Sequence, residues 1–179
     1  MRMKWFIIIT IVLLGGCSNE ESFNKILQDD RIETLVHQEE VDHGVVLFYV
    51  PAITSEEEPA ARFEARFIKK TLFGWEATFD RGGTSSGVDD TKLFSQYIQG
   101  DEGDSPFPLL FGEVTDLTIK RIVIQYSDGV ETEAKTVQNN GEHFWFAFVD
   151  EPTEKMKYTI TGFSEDGEVV ETIEEESIH

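Results

Sequence analysis

The sequence predicts an all-β protein: a β-sandwich with an immunoglobulin-like C-terminal part, a β-rich N-terminal part and at most one or two short helices. Three observations carry this. Short apolar runs recur at spacings of about 8 to 12 residues, with turn residues between them. Two of those turns are Asp-Gly pairs, Asp128-Gly129 and Asp166-Gly167, in which Gly supplies the positive φ of a tight hairpin and Asp tolerates it. The amphipathic crossover helices that a parallel α/β fold needs between strands are missing from the pattern.

Taken in order, Ser18 to Ser22 reads as a polar tether. Phe23 to Asp30 reads as one short helical stretch, with Phe23, Ile26 and Leu27 on one face and Ser22 as its N-cap. Val45 to Val50 is apolar at every position, the signature of a strand buried on both faces, and Pro51 ends it. Thr54 to Pro59, with Glu56, Glu57 and Glu58 in a row, is a solvated loop. Phe63, Ala65 and Phe67 then alternate with Arg62, Glu64 and Arg66, which predicts one packed face and one wet face. Gly74 separates that strand from another at Trp75 to Phe79. Arg81 to Gly87 is a polar loop, Val88 to Ile98 is open between strand and helix, and Gly100 to Pro106 is again a loop. Five strands are expected in the last third: Leu117 to Tyr126, Val130 to Val137, His143 to Val149, Met156 to Phe163 and Glu168 to Ile173.

Composition sets bounds on this reading. The 179 residues are 40% hydrophobic and include 14 Phe, 3 Trp and 4 Tyr, enough apolar material to offset chain entropy and exclude wholesale disorder. The net charge is −20. Polyanions such as nucleic acid, anionic lipid headgroups and wall teichoic acids are repelled by such a surface unless counter-ions bridge them, so no nucleic-acid partner is expected, whereas a cationic partner is permitted.

The N-terminus departs from the acidic remainder. Arg2 and Lys4 precede an apolar run, Trp5 to Leu14, of about ten residues, too short at about 1.5 Å per residue to cross a hydrocarbon core of about 30 Å. It reads as the apolar region of a signal peptide. Next comes Leu14-Gly15-Gly16-Cys17, with small residues directly ahead of the only cysteine, and this string resembles the lipobox of bacterial lipoprotein precursors. That resemblance implies a diacylglycerol thioether on Cys17, cleavage before it, and a mature chain held at the extracytoplasmic face of the cell membrane. The mature part would hold 13 basic and 35 acidic side chains among 163 residues, a net −22. An ordinary secretory signal, or an uncleaved anchor helix, is the alternative. With the sole cysteine acylated, no intrachain disulfide forms and the core alone must hold the fold.

Four phrases point the same way: His37-Gln38-Glu39-Glu40-Val41-Asp42-His43-Gly44, Phe67-Ile68-Lys69-Lys70-Thr71-Leu72-Phe73-Gly74-Trp75, Ser105-Pro106-Phe107-Pro108-Leu109-Leu110-Phe111-Gly112 and Phe144-Trp145-Phe146-Ala147-Phe148. Their order, over about residues 30 to 165, resembles that of small, largely uncharacterised lipoproteins of Bacillus-type Gram-positive bacteria. None is a catalytic signature. The expected organisation is a signal peptide (1–16), a lipid anchor and tether (17–29), a β-rich N-terminal part (30–111) and an immunoglobulin-like part (112–175), the last two forming either one sandwich or two packed units.

Several groups of residues bear on chemistry. Gly83-Thr84-Ser85-Ser86-Gly87 matches the GxSxG of serine hydrolases, and Asp101 or Asp104 and then His143 follow in the right chain order. The parallel sheet that strains such a nucleophile elbow is not predicted, and Gly-Ser loops produce the string by composition. His37, Glu39, Asp42 and His43 are the densest group of metal-ligand types, yet on one strand His37 and Glu39 share a side while Asp42 faces the other. Asp101, Glu102 and Asp104 lack the residue order of a calcium loop. Trp75 and Trp145 could anchor a partner, but a strand apolar on both sides favours core packing. The expectation is therefore a non-catalytic interaction or structural module with no catalytic residues, cofactor or metal. Its partners would be the membrane, through the lipid on Cys17, and an unidentified extracytoplasmic protein. A solute- or divalent-cation-binding lipoprotein is the alternative, and a small hydrolase using Ser85 a lesser one.

Overall fold

In the computed structural model, which describes residues 16–29, 31–52, 63–81, 91–99, 106–139, 141–149 and 155–178, three four-stranded antiparallel sheets stack face to face and one helix closes the stack. The expected all-β, sandwich-like class is what the chain adopts. The helix is α1 (Gly16–Leu27). The first sheet is a meander of β1 (Ile32–Val41), β2 (Gly44–Pro51), β3 (Glu64–Thr71) and β4 (Gly74–Arg81). The second has the order β5 (Gln96–Ile98), β6 (Leu109–Glu113), β10 (Glu142–Phe148), β9 (Lys135–Asn139). The third has the order β12 (Val169–Ile178), β11 (Lys155–Phe163), β7 (Arg121–Tyr126), β8 (Glu131–Glu133).

Strand alternation sorts the apolar side chains into three cores. Val45, Leu47 and Tyr49 of β2, with Ile68 of β3, face α1 and meet Phe23, Ile26 and Leu27. Val46 and Phe48, on the opposite side of β2, join Phe63, Ala65 and Phe67 against Leu109, Phe111, Phe144 and Phe146 of the second sheet. The other side of that second sheet carries Leu110, Trp145 and Ala147, which pack on Ile122, Ile124, Tyr158 and Ile160 of the third. The second sheet is thus covered on both faces, which accounts for the unbroken apolar run Phe144 to Val149. Trp145 and Phe144 are fully buried, so core packing is the role of Trp145. Trp75 is half-buried, its ring 4.9 Å from that of Phe23.

Several local expectations are corrected. The first half of β3 has no wet face: Arg66 is buried and Glu64 half-buried, because α1 covers the side the alternation assigns to solvent. The helix also begins before Ser22, so Ser22 is not its N-cap and residues 18–22 are not an unstructured tether. Leu117 and Thr118 precede their strand: Asp116 accepts from the backbone N–H of Thr118 at 2.9 Å in a turn, and β7 starts at Arg121. The single strand expected over Val130 to Val137 is two strands in different sheets. The chain passes from the third sheet to the second at buried Ala134, whose N–H donates to the carbonyl of Ile122 at 2.9 Å. Within Val88 to Ile98 the described part is extended, with β5 at its end. The expected boundary between residues 111 and 112 falls inside β6, a strand of the shared central sheet. Gly129 and Gly167 take φ of 88° and 82° in the two Asp-Gly turns, as their sequence requires.

Candidate functional site

The chain enters the sheets through α1, and its attachment there is specific. The N–H of Trp75 donates to Ser22 Oγ at 3.0 Å, from β4 into the middle of the helix. Beyond the helix end, Asp29 accepts from Arg31 Nη2 at 2.8 Å, Arg31 Nε at 3.0 Å and Arg66 Nη1 at 3.1 Å. The Arg31 side chain first, then its backbone N–H, and with them Arg66, hold the Asp29 carboxyl well below the ordinary carboxylate range against the opposing effect of burial. Arg66 also lies over the Tyr49 ring, 5.4 Å from its centre. Cys17 is in the first turn of α1; its side chain lies outside the described residues, as do residues 1–15.

Of the proposed metal-ligand group, the structure brings together His37 and Glu39 and leaves the others apart. His37 Nε2 is 2.9 Å from Glu39 Oε2, both side chains on one face of β1 as the two-residue spacing requires. Asp42 and His43 form the exposed turn into β2, with His43 at φ 65°. The third member of the cluster is Lys135 of β9, whose Nζ donates to Glu39 Oε2 at 2.6 Å and lies 5.6 Å from the centre of the Phe146 ring. Burial raises the Glu39 pKa, and hydrogen bonds from Lys135 and then His37 more than offset it, leaving the carboxylate below its usual value. The His37 ring in turn packs 5.7 Å from Phe146 and 6.1 Å from Phe48. This is a salt-bridged latch between the first and second sheets, reinforced by Asn139 Nδ2 donating to the Val36 carbonyl at 2.6 Å. Among the described residues no group of three or more His, Cys, Asp or Glu is placed to hold a metal ion.

The loop holding Ser85, and the acidic residues Asp101, Glu102 and Asp104, lie outside the described residues. His143, the base that a Ser85 mechanism would require, is half-buried on β10. Its Nδ1 is buried and has no hydrogen-bond partner among the described residues. Burial first, then the nearby Lys120 charge, lowers its pKa. On the third sheet an open groove of about 590 Å³ runs past Tyr126, Lys157, Tyr158 and Glu174 to Glu176. Burial, followed by the Glu175 carboxylate, pushes the Tyr158 hydroxyl above its ordinary pKa, so it stays protonated.

Compared with protein-family models, with curated proteins and with solved structures, the chain matches none.

Sequence reasoning missed Lys135, the bond of Ser22 to Trp75 and the Asp29–Arg66 pair. The single cue for the last was a charged residue on a strand with an apolar neighbour on each side, Ala65-Arg66-Phe67. For Lys135 and Ser22 there was none, because each meets its partner only through long-range packing.

Proposed function

We propose that the protein is a non-catalytic interaction or structural module, anchored by lipid on Cys17 at the extracytoplasmic face of the cell membrane. The observation that carries this is the ordered string of basic start, short apolar run and Leu14-Gly15-Gly16-Cys17. Its likeness to small lipoproteins of Bacillus-type Gram-positive bacteria supports the same reading. Among the described residues, no helix is long and apolar enough to cross a membrane. The two acyl chains of one diacylglyceryl group give durable residence where a single chain gives only marginal attachment. The position of α1 supports a stiff connection to the anchor, since a helix fastened through Ser22 and Asp29 transmits the position of its first turn to the sheets. The non-catalytic part rests on His143, which is packed within the fold beside a cationic side chain.

Mass spectrometry of the natural product tests the anchor: a diacylglyceryl thioether on Cys17 with residues 1–16 removed is expected. A free thiol with residues 1–16 still attached overturns it. Crosslinking on intact cells, with Cys17→Ser as control, tests the module. Capture of one defined protein by both forms is expected, and capture by neither removes the interaction reading.

A further inference from the structure

The turn between β3 and β4 is Thr71-Leu72-Phe73-Gly74, and its two central side chains are 96% and 91% exposed. Hairpin tips ordinarily carry Gly, Asn, Asp or Ser, which take positive φ or bond to the backbone of the turn. The turn is held without its apolar side chains: Thr71 Oγ1 donates to the Gly74 carbonyl at 2.9 Å and accepts from the Phe73 N–H at 3.3 Å, while Gly74 takes φ 136°. Leu72 and Phe73 therefore contribute nothing to the fold that polar residues would not.

Their surroundings point to one occupant. In a chain of net charge −20, Lys69 and Lys70 directly precede the tip, the Lys70 ammonium lying 5.7 Å from the centre of the Trp75 ring. The hairpin also outreaches its neighbour. The β1–β2 turn closes at the Val41–Gly44 pair and the β3–β4 turn at Thr71–Gly74, and Gly44 pairs with Lys69, so the second tip reaches two residues further, about 7 Å at about 3.3 Å per residue. Asp42 and Glu76, the nearest acids on that turn and on β4, lie behind the tip.

Helix α1 supplies the direction. Its C-terminal side is tied to Arg66 through Asp29 and its middle to Trp75 through Ser22, and Trp75 pairs with Lys70. Going from Asp29 back to Ser22 thus follows β3 toward the tip. Continuing to Cys17 adds five residues, about 7.5 Å at 1.5 Å each, and Leu72 lies about 7 Å past Lys70 at strand rise. The first turn of α1 and the hairpin tip stand at one end of the molecule, at about the same height.

We propose that Leu72 and Phe73 insert into the interface of an anionic bilayer beside the Cys17 lipid, with Lys69 and Lys70 at headgroup level, making a second contact that sets the orientation of the sheets. The proposal rests on the anchor reading for its location, and the two are tested separately.

The full acylated chain carrying Phe73→Cys, or Asp128→Cys as a distant hairpin control, is labelled with an environment-sensitive fluorophore in phosphatidylglycerol–phosphatidylcholine vesicles. At position 73 a blue-shifted emission is expected, quenched by lipid-borne nitroxide and protected from aqueous iodide; at 128 the reverse. Retention after a carbonate wash reports the anchor independently. If the wash releases the chain, the anchor reading fails and the same positions are read in Cys17→Ser chain added to the vesicles. In that background Leu72→Ser with Phe73→Ser lowers partitioning about tenfold or more, and pure phosphatidylcholine weakens it. Equal iodide access at 73 and 128, or a protein crosslinked through position 73 without lipid quenching, overturns the proposal.

Discussion

Arg66 and Asp29 form a 3.1 Å hydrogen-bonded ion pair across 37 residues of sequence, with the Arg66 side chain only 1% exposed. It joins the end of the only described helix to the middle of a strand, with the guanidinium out of water and the carboxylate partly exposed. Removing the carboxylate takes one acceptor from a buried guanidinium. Asp29→Ala is therefore expected to lower stability by about 2 kcal/mol, a fall of about 4 to 8 °C in melting temperature by calorimetry. The pH dependence has a definite sign. Because the folded pKa of Asp29 lies below the unfolded value near 3.9, its contribution is complete above that value and is lost as pH falls toward the folded pKa. Asp29→Asn should flatten the acid limb of the stability profile relative to the parent, and parallel limbs would refute the assignment.

Phe48, Phe144 and Phe146 form the aromatic centre of the core between the first two sheets. The Phe48 ring stacks on Phe146 at 4.6 Å and lies 5.2 Å from Phe144. Each ring is at most 2% exposed. Phe146→Ala should cost about 3 to 5 kcal/mol in denaturant unfolding, and Phe146→Leu distinctly less, since the branched side chain refills part of the void. A loss below about 1 kcal/mol for Phe146→Ala would mean that the two sheets do not share this core.

How far the fold was legible follows from the kind of signal each element gives. The run from Phe144 to Val149 announced a doubly covered strand, and Val45 to Val50 another, because apolar residues on both faces require two neighbours. The turns Asp128-Gly129 and Asp166-Gly167 were legible because Gly is the residue that takes positive φ without strain. β1 was not, since Ile32 to Val41 mixes Glu33, Glu39 and Glu40 with half-buried Ile32 and Leu35 and its sheet partner lies across a two-residue turn. The sheet change at Ala134 was invisible because both halves keep strand periodicity. Arg66 misled because alternation reports which residues are polar, not whether a helix later covers them. Of the candidate metal group, the His37–Glu39 side was readable from period two, while Lys135 arrives from 96 residues away.

Gly112 sits where two chain segments approach too closely for a side chain. A Cβ built there would collide with the Phe94 carbonyl oxygen, which is backbone and cannot swing aside. The same carbonyl accepts the Trp145 Nε1–H at 3.0 Å, so displacing it also disturbs a fully buried indole. Gly112→Ala should destabilise by about 3 kcal/mol, whereas Gly141→Ala, with open space around it and only an unfavourable φ of 88°, should cost about 1 kcal/mol. Equal melting temperatures for the two variants would contradict the close approach of β6 to residue 94.

His143 makes a second pH prediction, in a different window. Burial, and after it the Lys120 charge, disfavours the imidazolium in the folded protein, and among the described residues the buried Nδ1 has no partner to receive its proton. The unfolded chain takes up that proton near the ordinary value of 6.5, the folded one only at lower pH. Stability is therefore undiminished above that value and falls as pH drops through it, ceasing to fall once the folded form also protonates. Proton NMR should place the His143 midpoint below 6.5, and His143→Phe should shrink the difference in unfolding free energy between about pH 7 and pH 5. A midpoint above 6.5 would require a nearby anion holding the imidazolium, and that would reverse the sign of the whole effect.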